Sequence, residues 1–168
     1  FLYGLGNNAD QIIKSARIFP ILLTLTTTIL VFIFSRGVLS NNWSILPTFL
    51  FAFSPHVLAH GHYVTTDVAA TFGAILAIYL FSICLMSPSK KNVALAGLGL
   101  GIAQLFKSSL IALIPYFIFL TVVFFIAERA RNGQSEKENR LRTFLFDAWN
   151  YIKLLLLIIF IGYALVYL

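Results

Sequence analysis

Two stretches of an otherwise apolar chain carry residues able to do chemistry. The first is SPHVLAHGHYVTTDVAA, residues 54–70. Gly61 permits a turn there, and Thr65 or Thr66 can cap a new helix by accepting its free N–H groups. Asp67 then falls in the first helical turn, where the positive end of the helix dipole favours an ionised carboxylate. A carboxylate so placed either caps a helix at a membrane boundary or orients a reacting group. Spacing alone does not choose, but Asp67 and Asp10 are the only acids on that side of the chain. His56 and His60 stand i and i+4 on one helical face, a spacing that suits metal ligation. No third ligand has the matching spacing, so no metal site is expected. A structural role suits His56, and a polar contact with a bound headgroup suits His60.

The second stretch is LFKSSLIALIP, residues 105–115. An ammonium from Lys107, hydroxyls from Ser108 and Ser109 and the N–H groups of a helix start make an anion site, and phosphate is the obvious anion beside a membrane. A lysine snorkelling to the interface is the simpler alternative. Arg17, in IIKSARIFP (residues 12–20), poses the same choice at the start of an apolar segment.

The elements that must position these groups are membrane spans. Of 168 residues 60% are hydrophobic and 11% charged, and the mean hydropathy is +0.91; soluble domains carry about one quarter charged residues. A disordered chain, a disulfide scaffold and a soluble Rossmann-type enzyme are excluded. The one cysteine, Cys84, lies in an apolar run as a buried, inert thiol. A helix needs about 20 apolar residues to cross the hydrocarbon, and six segments come close: 18–35, 43–60, 68–86, 92–106, 110–127 and 148–168. The expectation is an all-α integral membrane protein with about six transmembrane helices, residues 1–17 being the tail of an external loop and 128–147 a cytoplasmic loop. The fourth segment holds Gly97, Gly99 and Gly101. Ile102 and Gln104 stand where a dinucleotide loop needs a third glycine, so these are small residues for tilted or tight helix packing.

An external N-terminus puts nine of the twelve cations inside: Arg36, Lys90, Lys91, Arg129, Arg131, Lys137, Arg140, Arg142 and Lys153. Lys14, Arg17 and Lys107 remain outside, a positive-inside bias that accounts for the net charge of +6 without nucleic acid. His60, Asp67 and Lys107 then share the non-cytoplasmic side. Residue 1 is Phe1 rather than methionine, and residues 162–168 are still apolar, so the chain is expected to be a piece of a longer protein.

ARIFP (16–20), SPHVLAHGHYVTTDVAATF (54–72) and GLGLGIAQLFKSSLIALIP (97–115) together resemble the glycosyltransferase family 39-like membrane enzymes, which include protein O-mannosyltransferases and lipid A aminoarabinose transferases. AHGxxVTTD (59–67) is the specific part, and the likeness covers residues 8–117. It implies a GT-C type multi-span helical bundle with a non-cytoplasmic active face, in the plasma membrane of a bacterium or the endoplasmic reticulum of a eukaryote. The donor is a polyprenyl-phosphate-linked sugar and the acceptor a protein, lipid or glycan. Asp67 matches the family's second acidic position, Lys107 its lysine near the donor phosphate, and Arg17 the arginine opening its second span. Ser108, His60 and Thr66 join them as substrate-binding candidates. The family's principal acid belongs to an earlier external loop, so this piece alone is expected to be inactive, and no catalytic role passes to Asp10. No cofactor is required by any motif, with a divalent cation at Asp67 as the open alternative. His62, and Gln104 with Phe106, depart from the family pattern at positions bearing on the donor. The competing classes are a transporter or channel with Asp67 and Lys107 on a solute path, and a purely structural membrane subunit.

Overall fold

The computed structural model describes residues 8–39, 42–132 and 140–168, and all regular structure among them is helical. The start of the expected external tail and the middle of the expected loop 128–147 lie outside the described residues. Seven α-helices follow in order: α1 Ala9–Val38, α2 Ile45–Ala52, α3 Pro55–His60, α4 Thr66–Met86, α5 Lys90–Phe106, α6 Leu113–Asn132 and α7 Arg140–Tyr167, with a 3-10 turn at Ser108–Ala112 leading into α6. The chain divides within α4 into two units, residues 1–75 and 76–168.

Four helical stretches among the described residues are long and apolar enough to cross a membrane, namely Ala9–Val38, Thr66–Met86, Ser108–Arg131 and Ala148–Tyr167. The expectation of six is corrected at two places. Segment 43–60 breaks because Pro55 has no N–H and holds Ser54 extended, at φ −65° and ψ 136°. The Ser54 hydroxyl then accepts from the Val57 N–H at 3.2 Å, so a new helix is capped where one span was expected. Segment 92–106 is helical, but at 17 residues α5 falls short of the others.

In the first unit, α1 runs for 30 residues, and Arg17 lies inside it rather than at its start. Ile18, Phe19, Leu22, Leu25 and Ile29 are each more than half exposed. So large an apolar surface is what a membrane-crossing helix presents. Asn8 caps α1 by accepting from the Gln11 N–H at 3.3 Å. Its four threonines hydrogen-bond back one turn: Thr24 to Pro20, Thr26 to Leu22, Thr27 to Leu23 and Thr28 to Thr24, all at 2.7–2.9 Å. An apolar helix thereby carries hydroxyls without leaving their protons unpaired. Pro20, Thr27 and Leu30 are its buried residues, and α2 packs along it.

The second unit is built on glycine. A Cβ on Gly97 would stand 2.6 Å from the Ile161 Cβ, and one on Gly101 would stand 2.8 Å from the Gly162 carbonyl oxygen, so α5 and α7 meet backbone to backbone. Gly99 turns to the α4 residues Ala77 and Leu80. The small-residue stripe read from the sequence is thus a packing seam on two sides of α5. Phe81 and Phe117, both fully buried, stack at 4.0 Å with their planes 4° apart. The Tyr151 hydroxyl donates to Glu128 at 2.5 Å, linking α7 to α6.

Candidate functional site

The first unit holds a cleft lined by Thr24, Thr27, Phe51, His56, Val57, His60, Gly61, Asp67, Val68 and Thr71, with about 330 Å³ of empty space, part of it open to the surroundings. Three local devices build it. Thr24, one turn after Pro20 on α1, shares its hydroxyl proton between the Pro20 carbonyl and the Gly61 carbonyl, the latter at 3.1 Å. That bond ties α1 to the turn between α3 and α4. Gly61 fills the turn because a Cβ there would stand 2.5 Å from the Val57 carbonyl oxygen and 3.1 Å from the Thr24 hydroxyl. The Thr65 N–H bonds to the Tyr63 carbonyl at 2.9 Å, and α4 begins at the next residue.

Asp67 is therefore the second residue of α4 and exposed. Thr71, one turn on, donates to the Asp67 carbonyl at 2.8 Å and continues the same wall. Across from them, the His56 and His60 rings lie 4.6 Å apart. His60 stands 6.3 Å from Tyr63, which stands 4.2 Å from His62. The Arg17 guanidinium carbon lies 6.0 Å from the centre of the Tyr63 ring, so the arginine joins the histidine cluster through an aromatic face.

Asp67 and His60 thus meet in one cleft, with Arg17 one ring beyond it. Thr66 opens α4 next to Asp67 without lining the cleft. Lys107 and Ser108 belong to the second unit. Lys107 is extended, at φ −156° and ψ 121°, and ends α5 with its N–H on the Ala103 carbonyl at 3.2 Å. Ser108 and Ser109 open the 3-10 turn that leads into α6, so a tighter turn stands where an α-helical start was expected. Gln104, one turn before Lys107, has a buried side-chain nitrogen with no hydrogen-bond partner in the structure.

Thr24, Thr27 and Thr71 did not emerge as site residues from the sequence, and His56 was assigned a structural part. The available signals were helical spacings: Thr24 with Thr27 at i, i+3, and Asp67 with Thr71 at i, i+4. Among the described residues no three His, Cys, Asp or Glu side chains come together as a metal-binding group.

Four helical stretches among the described residues, each long and apolar enough to cross a bilayer, make this an integral, multi-pass membrane protein. The family model for dolichyl-phosphate-mannose-protein mannosyltransferase matches residues 9–164, and the chain belongs to that family. It is a membrane-embedded glycosyltransferase of the GT-C superfamily. No curated protein and no solved structure gives a match.

Proposed function

We propose that the protein moves a sugar, mannose or a related hexose, from a polyprenyl-phosphate carrier to a hydroxyl of a protein, lipid or glycan on the non-cytoplasmic face. In this transfer the bond from the anomeric carbon to the phosphate oxygen breaks, and its electron pair leaves with the phosphate. The acceptor oxygen forms the new bond and loses its proton to a base. Such a reaction needs charge stabilisation on the phosphate and a carboxylate near the acceptor. Lys107 with Ser108 serves the phosphate, and Arg17 is the next candidate for that part. Asp67 orients the acceptor hydroxyl or holds a divalent cation beside it, with His60 and Thr66 flanking.

The observation that carries this reading is Asp67 at a helix start on the lining of the cleft, in a chain of this family. The test is sugar transfer from a polyprenyl-phosphate hexose by the longer parent protein carrying Asp67→Asn, which keeps shape and most of the capping. Turnover should fall at least about a hundredfold, ~2.7 kcal/mol, with insertion and folding unchanged. Near-normal turnover with a stability loss of ~1 kcal/mol or less would make Asp67 a helix cap and nothing more.

A further inference from the structure

The second unit gathers cations at the end remote from Lys107. Gly97 of α5 packs against Ile158 and Ile161 of α7, and Gly101 against Gly162 and Leu165, so the two helices run parallel. Carried back from Gly97 to Lys90, that register sets Lys90 and Lys91 level with residues 151–155 of α7, Lys153 among them. α6 closes the group, because its Glu128 accepts the Tyr151 hydroxyl proton and Arg129 and Arg131 follow in its last turn. Over residues 87–92, 128–132 and 147–153 the sequence places five cations against two carboxylates, Glu128 and Asp147. Lys107 stands just past the far end of α5, ~25 Å away at ~1.5 Å per residue, so this basic end is a different place from the proposed phosphate contact.

Charge bias fixes the face of the membrane on which cations lie; the glycine seam fixes how closely they stand. Lys90 and Lys91 occupy the first turn of α5 with no acid in that turn, where a cation opposes the helix dipole. The helix is not stabilised by them, and their charge calls for an anion outside the bundle. Lys153 is exposed, and its Nζ lies 5.4 Å from the centre of the Trp149 ring. Tryptophan settles at headgroup depth, and the pairing sets the ammonium at that depth too. One and two turns further along α7, Leu156 and Phe160 are 60% and 70% exposed, an apolar strip that continues the same face. Cations at headgroup depth above an exposed apolar strip match a molecule with an anionic head and a hydrocarbon tail. We infer that this end of the second unit binds an anionic phospholipid, its phosphate against Lys90, Lys91 and Lys153 and an acyl chain along Leu156 and Phe160. A phosphate ion would leave the strip uncovered, and a zwitterionic lipid would bring its own cation to the lysines. The inference stands apart from sugar transfer and does not depend on it.

The longer parent protein is reconstituted in phosphatidylcholine vesicles holding a trace of phosphatidylglycerol with a photoreactive group midway along one acyl chain. A matched phosphatidylcholine probe carries the same group, and peptide mass spectrometry reads the labelled residues. Labelling within residues 149–160 should saturate with the phosphatidylglycerol probe and exceed that from the phosphatidylcholine probe at least about tenfold. Lys90→Gln, Lys91→Gln and Lys153→Gln combined should bring the first probe down to the level of the second, and an unchanged melting temperature verifies the fold. Should that variant melt early, Lys153→Gln alone, at its exposed position, should lose at least about threefold, and no loss there overturns the inference. Arg36→Gln removes a cation of the first unit and should leave the labelling of residues 149–160 as it was. Equal labelling by the two probes, or a loss with Arg36→Gln matching that of the lysine variant, overturns the inference in favour of general attraction to a charged surface. Inorganic phosphate should displace the probe no better than chloride at the same ionic strength. Displacement by phosphate alone would make this a site for a soluble anion and overturn the inference as well.

Discussion

Lys107 is held by its backbone from both sides. Its N–H closes α5 on Ala103, and its carbonyl accepts from the Leu110 N–H at 3.0 Å as the 3-10 turn begins. The side chain thus leaves from a fixed junction, next to the Ser108 hydroxyl. Lys107→Met keeps the length and deletes the charge. If the ammonium meets the donor phosphate, donor affinity or turnover should fall at least about tenfold, ~1.4 kcal/mol for one charge-assisted contact. Steady-state transfer by the longer parent protein against donor concentration reads this, and unchanged kinetics would move the phosphate to Arg17. Charged residues of this kind are legible in a sequence because they cost so much in an apolar setting that position alone marks them. Asp67 stands out as one of two acids on its side of the chain, and His60 through its i, i+4 spacing from His56. Thr24 escaped because a threonine that bonds to its own helix looks neutral in sequence, while the contact that matters lies 37 residues away at Gly61.

At the level of elements, α5 answers to its glycines. Gly97→Ala and Gly101→Ala push a methyl into the Ile161 side chain and the Gly162 carbonyl respectively, and each should lower stability by about 1–3 kcal/mol. Gly99→Ala should cost less, since its nearest neighbour is the far end of the Leu80 side chain. Gly37, with nothing within 4 Å of a Cβ, should accept alanine without loss. Denaturation midpoints in one detergent check the ranking, and a Gly99 variant weaker than both others would contradict it. Glycines spaced along an apolar segment announced a close seam without naming its partner, because Gly162 of α7 lies 61 residues beyond Gly101. The pair Ser54-Pro55 announced a helix start just as plainly. The apolar residues on both sides outweighed it, and a span was read where two short helices stand.

For the whole molecule, hydropathy gave the all-α membrane class and four of the spans, because lipid punishes unpaired backbone and leaves helices as the solution for an open chain. What hydropathy cannot separate is a helix that crosses from one that packs, and segment 43–60 is the case in point. At ~1.5 Å per residue, α2 and α3 rise about 12 Å and about 9 Å. Each is far short of the ~30 Å hydrocarbon core, and the break at Phe53 and Ser54 interrupts the backbone ladder between them. The consequence reaches back to biogenesis. A segment with interrupted pairing and two prolines is a poor client for the translocon by itself, whereas α1 emerges first and offers a surface on which α2 can lodge. Membrane entry of this stretch should therefore depend on its predecessor. Placed alone in a host protein with glycosylation reporters, residues 43–60 should insert poorly, while residues 9–60 should insert α1 and 43–60 together. Efficient entry of 43–60 alone, matching that of residues 66–86 in the same host, would show that the break at Ser54 costs nothing during synthesis.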